Sequence, residues 1–228
     1  MRVSFIIPVY NEEVAIEGVI ERVLALSLDK EVIIVDDGST DRTLERVRRF
    51  AGVPSVRIHS SLLNLGKGAA LRIGIHHARG DVIAIQDGDT EYDPEDYYEV
   101  LRPILEGRAE VVYGSRFANG FRIRGMRPRY KLANLLLRWM ANLLYGAGIT
   151  DEATAYKAFK SDVLKGIPLT CMRFEFCPEV TAKLRKGGYT IHEVPISYRP
   201  RGVEVGKKIR WKDGLVAIWT LLKYRVTD

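Results

Sequence analysis

The stretch Val82-Ile83-Ala84-Ile85-Gln86-Asp87-Gly88-Asp89-Thr90-Glu91 decides the fold. Its opening apolar run predicts a short strand buried on both faces, as in a parallel sheet. The run stops at Asp87, Asp89 and Glu91, set at alternate positions, so an extended chain would point their side chains to one side. Asp93 and Pro94 then predict a helix start, with Asp93 as N-cap and Pro94 at the first helical position. Carboxylates crowded at a strand end repel one another unless a cation lies between them. Oxygen donors with no His or Cys nearby suit Mg2+ or Mn2+. A solvated acidic turn is the plainer reading of the same residues.

The chain before this stretch repeats one unit. Strand-like runs at 2–9, 31–35 and 55–59 alternate with helices whose apolar residues recur at helical spacing: Ile16, Val19, Ile20, Val23 and Leu24, then Leu44 and Val47, then a segment at 66–79. Such alternation predicts an α/β fold with right-handed crossovers and a mostly parallel sheet, whose ligands bind outside the carboxyl ends of the strands. Polar residues gather at those ends. Two nucleotide motifs are excluded: Leu71 stands where a third glycine of a dinucleotide fingerprint belongs, and Gly68 follows Lys67 where a P-loop needs Ser or Thr.

After the acidic stretch the alternation loosens. A strand at 110–113 leads to Gly114-Ser115-Arg116, followed by an arginine-rich loop over 117–129 that reads as a lid over an anion or as a solvated loop. Leu132, Leu135, Leu136, Trp139, Met140, Leu143 and Leu144 form a wide stripe, expected in the core; a helix lying on a membrane is the alternative. A helix at 174–186 precedes a strand at 189–197, which Pro195 places at an edge or a bend. A second basic loop, 198–210, carries Arg199, Arg201, Lys207 and Lys208. The closing helix holds Trp211, Leu215, Ile218, Trp219 and Leu222 between Lys212 and Lys223 with Arg225, a pattern fitting a membrane interface or a helix docked on the domain.

The 228 residues can bury a substantial core, and 46% hydrophobic with 28% charged residues is ordinary for a globular chain. A net charge of +6 and a pI near 9.3 favour anionic partners. The basic stretches hold few aromatics, which argues against nucleic acid. Neither a signal peptide nor a membrane-spanning run is visible. Cys171 and Cys177 are expected as free thiols in a reducing compartment.

Several motifs match one pattern in order: Ile6-Ile7-Pro8-Val9-Tyr10-Asn11-Glu12, Val35-Asp36-Asp37-Gly38-Ser39-Thr40-Asp41, Asn64-Leu65-Gly66-Lys67-Gly68, Gln86-Asp87-Gly88-Asp89 and Tyr113-Gly114-Ser115-Arg116. Along essentially its whole length the chain resembles family 2 glycosyltransferases of the GT-A fold. Thr150-Asp151 and Glu193-Val194-Pro195-Ile196-Ser197-Tyr198 make it similar to the dolichyl-phosphate mannose synthase and polyprenyl-phosphate glycosyltransferase branch, in a short form without transmembrane helices.

The resemblance implies a single domain over 1–228 with a Rossmann-like, mostly parallel sheet flanked by helices and a small antiparallel extension. Residues 1–93 would form the nucleotide-sugar half, and 94–228 the acceptor half with the two basic loops. It further implies that Pro8, Tyr10, Glu12, Val35 and Asp37 hold the base and ribose of the nucleotide. Asp87, Asp89 and Glu91 would hold Mg2+ or Mn2+ on the diphosphate, with Gly88 between them. Arg116, Arg201 and Lys207 would face the donor phosphates, and Arg129, Arg201 and Lys207 the acceptor phosphate. Asp89, Arg116 and Asp151 would form the catalytic group, Asp151 as base, positioning group or cap.

The implied activity is inverting transfer of a hexose from a nucleoside-diphosphate sugar to a polyprenyl phosphate. It would take place at the cytoplasmic face of a membrane, with a possible membrane-protein partner. The alternatives are transfer to a soluble or glycan hydroxyl, and nucleotide-sugar binding without catalysis. Gly88, Thr90 and Glu91 depart from the Ala, Leu and Gln usual in the family. Leu135 replaces the Gln that a processive synthase requires.

Overall fold

The computed structural model describes residues 1–120, 125–200 and 211–227. Seven strands form one sheet: β1 (Val3–Val9), β2 (Lys30–Asp36), β3 (Val56–Ser60), β4 (Val82–Ile85), β5 (Val111–Ser115), β6 (Lys157–Lys160) and β7 (Ile191–Pro195), in the order β3-β2-β1-β4-β6-β5-β7. All the strands run parallel except β6, which pairs antiparallel with β4 on one side and β5 on the other. The antiparallel element is thus inserted into the middle of the sheet. The runs read as buried strands are buried: every residue of β1 and β4 lies in the interior.

Period-two alternation sends successive residues to opposite helical layers. Phe5 and Ile7 face α1 (Ile16–Ala25), α2 (Thr43–Arg48) and α4 (Tyr97–Leu105), whereas Ile6 faces α3 (Lys67–His77). On the same side as α3 lie α5 (Pro128–Tyr145), α6 (Ser161–Lys165), α7 (Phe176–Lys186) and α8 (Trp211–Val226). The predicted helix start is present: Asp93 accepts a hydrogen bond from Glu95 N–H ahead of a 3-10 turn, Pro94–Asp96, that runs into α4. The strand carrying Pro195 lies at an edge and ends at that residue.

Helix α3 packs its Gly74 directly against Ile6 of β1, where there is no room for a side chain. A Cβ at that position would lie 2.3 Å from Ile6 Cγ2. Gly74→Ala should therefore destabilise the protein by about 1–3 kcal/mol through overpacking, outweighing alanine's better helix propensity. Urea unfolding of the variant measures this.

One strand escapes the sequence reading, and one expectation needs correction. Strand β6 was not visible in the sequence because two of its four residues are lysines; Lys157 is nevertheless fully buried, its ammonium 3.7 Å from the Tyr113 ring centroid and 3.1 Å from the carbonyl oxygen of Glu152. The apolar stripe of α5 is mostly outside the core. Asn134, Leu137, Met140 and Ala141 face inward, while Leu132, Leu135, Leu136, Trp139 and Leu143 are exposed.

Candidate active site at the carboxyl ends of the strands

The loops after β1, β2 and β4 converge at one end of the sheet. Asn11, just past β1, adopts φ +48° and is braced against the β2 exit: its N–H donates to Ser39 Oγ at 3.0 Å, and its Oδ1 accepts from Thr40 N–H at 2.8 Å. Glu12 is fixed by its own N–H, which donates to Thr43 Oγ1. Pro8 and Val35 lie inside the paired strands β1 and β2, and Tyr10 is half-buried beside them.

Asp37 is almost fully buried, and its two oxygens accept the N–H groups of Leu65 and Gly66 at 2.8 and 2.7 Å. Burial pushes its carboxyl up despite those two bonds. Its visible work is to tie the β2 exit to the start of α3, while Asp41 caps Thr43. That tie also explains Gly38 and Gly66, at φ +70° and +104°, where a Cβ would strike backbone atoms of Leu63 and Met172.

Beyond β4, Asp87 is ion-paired with Lys67 from the first turn of α3. Burial opposes the charge on Lys67, but Asp87, assisted by Asp89, outweighs it and holds the ammonium above its ordinary value. Asp89 Oδ1 accepts Glu91 N–H at 2.9 Å, closing a turn, so the extended direction does not persist past β4. Glu91 Oε2 accepts from Tyr198 Oη at 3.0 Å. Gly88 is packed against Val9 and Ile16 so closely that a Cβ would come within 3.2 Å of Val9 Cγ2.

Asp87 and Asp89 offer hard oxygens where a positive charge is already accommodated. Among the described residues no group of three or more His, Cys, Asp and Glu forms a cage. Mg2+ and Mn2+ need none, since such ions keep water and phosphate oxygens as ligands. The donor set therefore fits a divalent ion shared with a diphosphate.

Across the site, Arg116 and Asp151 form a buried bidentate pair. Arg116 Nε and Nη2 each donate to Asp151 at 2.7 Å, and Arg116 N–H adds a third bond at 3.0 Å. Asn134 Nδ2 from α5 also donates to Asp151. Burial works against the guanidinium, and Asp151 more than compensates, raising its pKa well above the ordinary value. The guanidinium also lies over the Tyr198 ring. Glu193 of β7 clamps the same corner, accepting the N–H groups of Thr150 and Asp151 at 2.7 and 3.1 Å.

A cavity of about 200 Å³ joins these groups. Asp87, Lys67, Glu91 and Arg116 are among the charged groups that line it, and Leu71, Met126, Leu137, Phe174, Phe176 and Ala217 among the apolar ones. Pro8, Tyr10, Glu12, Val35 and Asp37 stand outside its lining, around the neighbouring strand ends. Arg129 is exposed at the start of α5 and is not brought to the pair. Arg201 and Lys207 lie outside the described residues, as do Arg122, Arg124 and Lys208.

The sequence reading missed Lys67 as a partner of Asp87, and it missed Glu152. The latter is fully buried on the cavity wall, accepts from Thr181 Oγ1 at 3.0 Å, and its Oε1 has no hydrogen-bond partner among the described residues. Burial raises its pKa from 4.5 to about 7, with Lys157 pulling the other way. Well below pH 4 it is protonated in folded and unfolded chains alike and contributes no slope. Between pH 4.5 and 7 the folded state alone keeps the proton, so this group makes stability fall as pH rises, by about 1.4 kcal/mol per unit. Glu152→Gln should remove that fall, leaving the variant more stable than the parent above pH 7 in paired thermal melts.

Residues 4–167 match Glycosyl transferase family 2. The chain belongs to that family. This glycosyltransferase is 30% identical over 212 residues to a UDP-N-acetylglucosamine–dolichyl-phosphate N-acetylglucosaminyltransferase of Methanococcus voltae, covering 85% of this chain and 84% of that one. It is 28% identical to a dolichol-phosphate mannosyltransferase of Pyrococcus furiosus, over 98% of this chain but 64% of the longer relative. The glycosyltransferase also shares its GT-A fold with glucosyl-3-phosphoglycerate synthase from Mycobacterium tuberculosis. The TM-score is 0.76 against the UDP complex, at 22% identity, covering 98% of this chain and 79% of that one. Against the complex with Mn2+ and UDP-glucose it is 0.73, covering 97% and 78%.

Proposed function

We propose that the protein transfers a hexose, with inversion, from a nucleoside-diphosphate sugar to a polyprenyl phosphate at the cytoplasmic surface of a membrane. The observation that carries this reading is the cavity, whose lining combines Lys67, Asp87 and Arg116 with the apolar side chains of Leu71, Leu137, Phe174 and Phe176. Relatives named for dolichyl phosphate acceptors support it.

In the reaction an oxygen of the acceptor phosphate bonds to the anomeric carbon as the bond from that carbon to the diphosphate breaks, and the nucleoside diphosphate leaves with the electron pair. A divalent ion held by Asp87 and Asp89, when bound, would neutralise charge on the leaving group. Glu91 is the third candidate ligand, though its carboxylate is engaged by Tyr198. Lys67 adds a fixed cation at the same end. A phosphate nucleophile needs no general base, since its second pKa is about 6. Asp151 accordingly keeps both oxygens on Arg116 and serves as a positioning group. Arg201, Lys207 and Arg129 are the remaining cations proposed for the phosphates.

The test is incubation with a panel of nucleotide sugars, Mn2+ and either a polyprenyl phosphate or soluble hydroxyl acceptors, with products read by mass spectrometry. Glycosylated lipid phosphate is expected. Sugar on the hydroxyl acceptors alone would overturn the proposed acceptor, and binding of donor without turnover would overturn the transferase reading.

A further inference from the structure

The segment 171–173 belongs to the second half of the chain, yet it is built onto the start of α3 in the first half. Ala69 N–H donates to the Met172 carbonyl at 3.0 Å. A Cβ at Gly66 would lie 2.8 Å from Arg173 Cγ, and one at Gly68 would lie 2.9 Å from the Arg173 carbonyl oxygen, so two glycines make room for the contact. From the other side, Glu179 Oε2 accepts Cys171 N–H at 2.7 Å, and Glu175 Oε1 accepts the N–H groups of Met172 and Arg173 at 2.7 and 3.1 Å. The backbone of Arg173 is thus fixed, and its stem crosses the turn that Asp37 ties down through Gly66 N–H.

Among the described residues, three cations line the cavity: Lys67, Arg116 and Arg173. Two of them are committed. Lys67 is ion-paired with Asp87, and Arg116 gives its Nε, its Nη2 and its N–H to Asp151. Arg173 differs: the residue is exposed, and its guanidinium makes no hydrogen bond or ion pair with any described residue. A guanidinium on a fixed backbone with its donors unspent suits a planar, bidentate grip on phosphate oxygens. Its charge also reaches the nucleotide side of the site. Burial pushes the Asp37 carboxyl up, and Arg173 is among the groups that oppose that push.

We propose that Arg173 binds the diphosphate of the nucleotide-sugar donor, so that a residue from the half expected to take the acceptor completes the donor site. The assignment rests on the donor class proposed above and is independent of the acceptor. The donor diphosphate is favoured over an acceptor phosphate because the Arg173 stem lies on Gly66, which is bonded to Asp37 and adjoins Lys67.

The test is calorimetric titration of the full chain with UDP, GDP, CDP and ADP in excess Mn2+. Arg173→Gln keeps the Cγ that lies over Gly66 and should melt as the parent does. It should bind the preferred diphosphate about tenfold or more weakly, and Arg173→Lys should recover part of that loss. An affinity of the Gln variant within about twofold of the parent's would overturn the proposal, as would a parent that binds none of the four nucleotides. Equal losses in the Lys and Gln variants would also overturn it, by marking a packing role in which charge has no part. A raised KM for a short-chain prenyl phosphate, with diphosphate affinity unchanged, would move Arg173 to the acceptor and overturn the donor assignment. Diphosphate binding that is lost in Arg173→Gln, in a parent that glycosylates no prenyl phosphate, would overturn the proposed acceptor and leave Arg173 standing.

Discussion

Asp151→Ala should cost the folded protein about 3–5 kcal/mol, the largest stability loss expected of a single change at the site. Removing the carboxylate strands the Arg116 guanidinium, whose side chain is only 9% exposed, and also takes the acceptor away from Asn134. The loss arises from an uncompensated buried charge, not from the worth of the pair itself. The double variant Arg116→Met/Asp151→Leu should therefore recover much of it, since both charges leave together. Urea unfolding of the two variants checks this. A loss below about 1 kcal/mol for Asp151→Ala would show that the pair is solvated and exchangeable.

Asp89→Asn should reduce turnover by about a thousandfold or more while leaving stability within about 0.5 kcal/mol of the parent. Asparagine keeps the Oδ1 that accepts Glu91 N–H, so the turn after β4 persists. Only the negative charge is lost, and with it the proposed grip on a divalent ion. Asp87→Asn should act similarly on turnover and should also release Lys67, whose raised pKa depends on that carboxylate. Steady-state transfer with Mn2+ held in excess separates these effects from misfolding, because the melting temperatures stay close.

Much of this architecture was legible because the buried strands advertise themselves. Val3–Val9, apolar except for Ser4, and Val82–Ile85, apolar throughout, are runs that only a sheet covered on both faces can bury. The polar residues following β1, β2 and β4 then mark the site end. What escaped were features that depend on partners distant in sequence. Arg116 and Asp151 are 35 positions apart, and nothing local to either announces a bidentate pair. Glu193 reads as a strand residue until its carboxylate is seen holding Thr150 and Asp151. Glu152 looks like a surface acid by type, and only the packing around it reveals a carboxyl held near neutral pH. The stripe on α5 failed for a different reason: periodicity reports that one side of a helix is apolar, but not whether the rest of the fold covers it.

Titration of the protein with Mn2+ in the presence and absence of a nucleoside diphosphate tests the metal reading most directly, followed by water-proton relaxation or calorimetry. The expected result is tight Mn2+ binding only with the nucleotide present, lost in both Asp87→Asn and Asp89→Asn. Equal Mn2+ affinity in the parent and these two variants would contradict it.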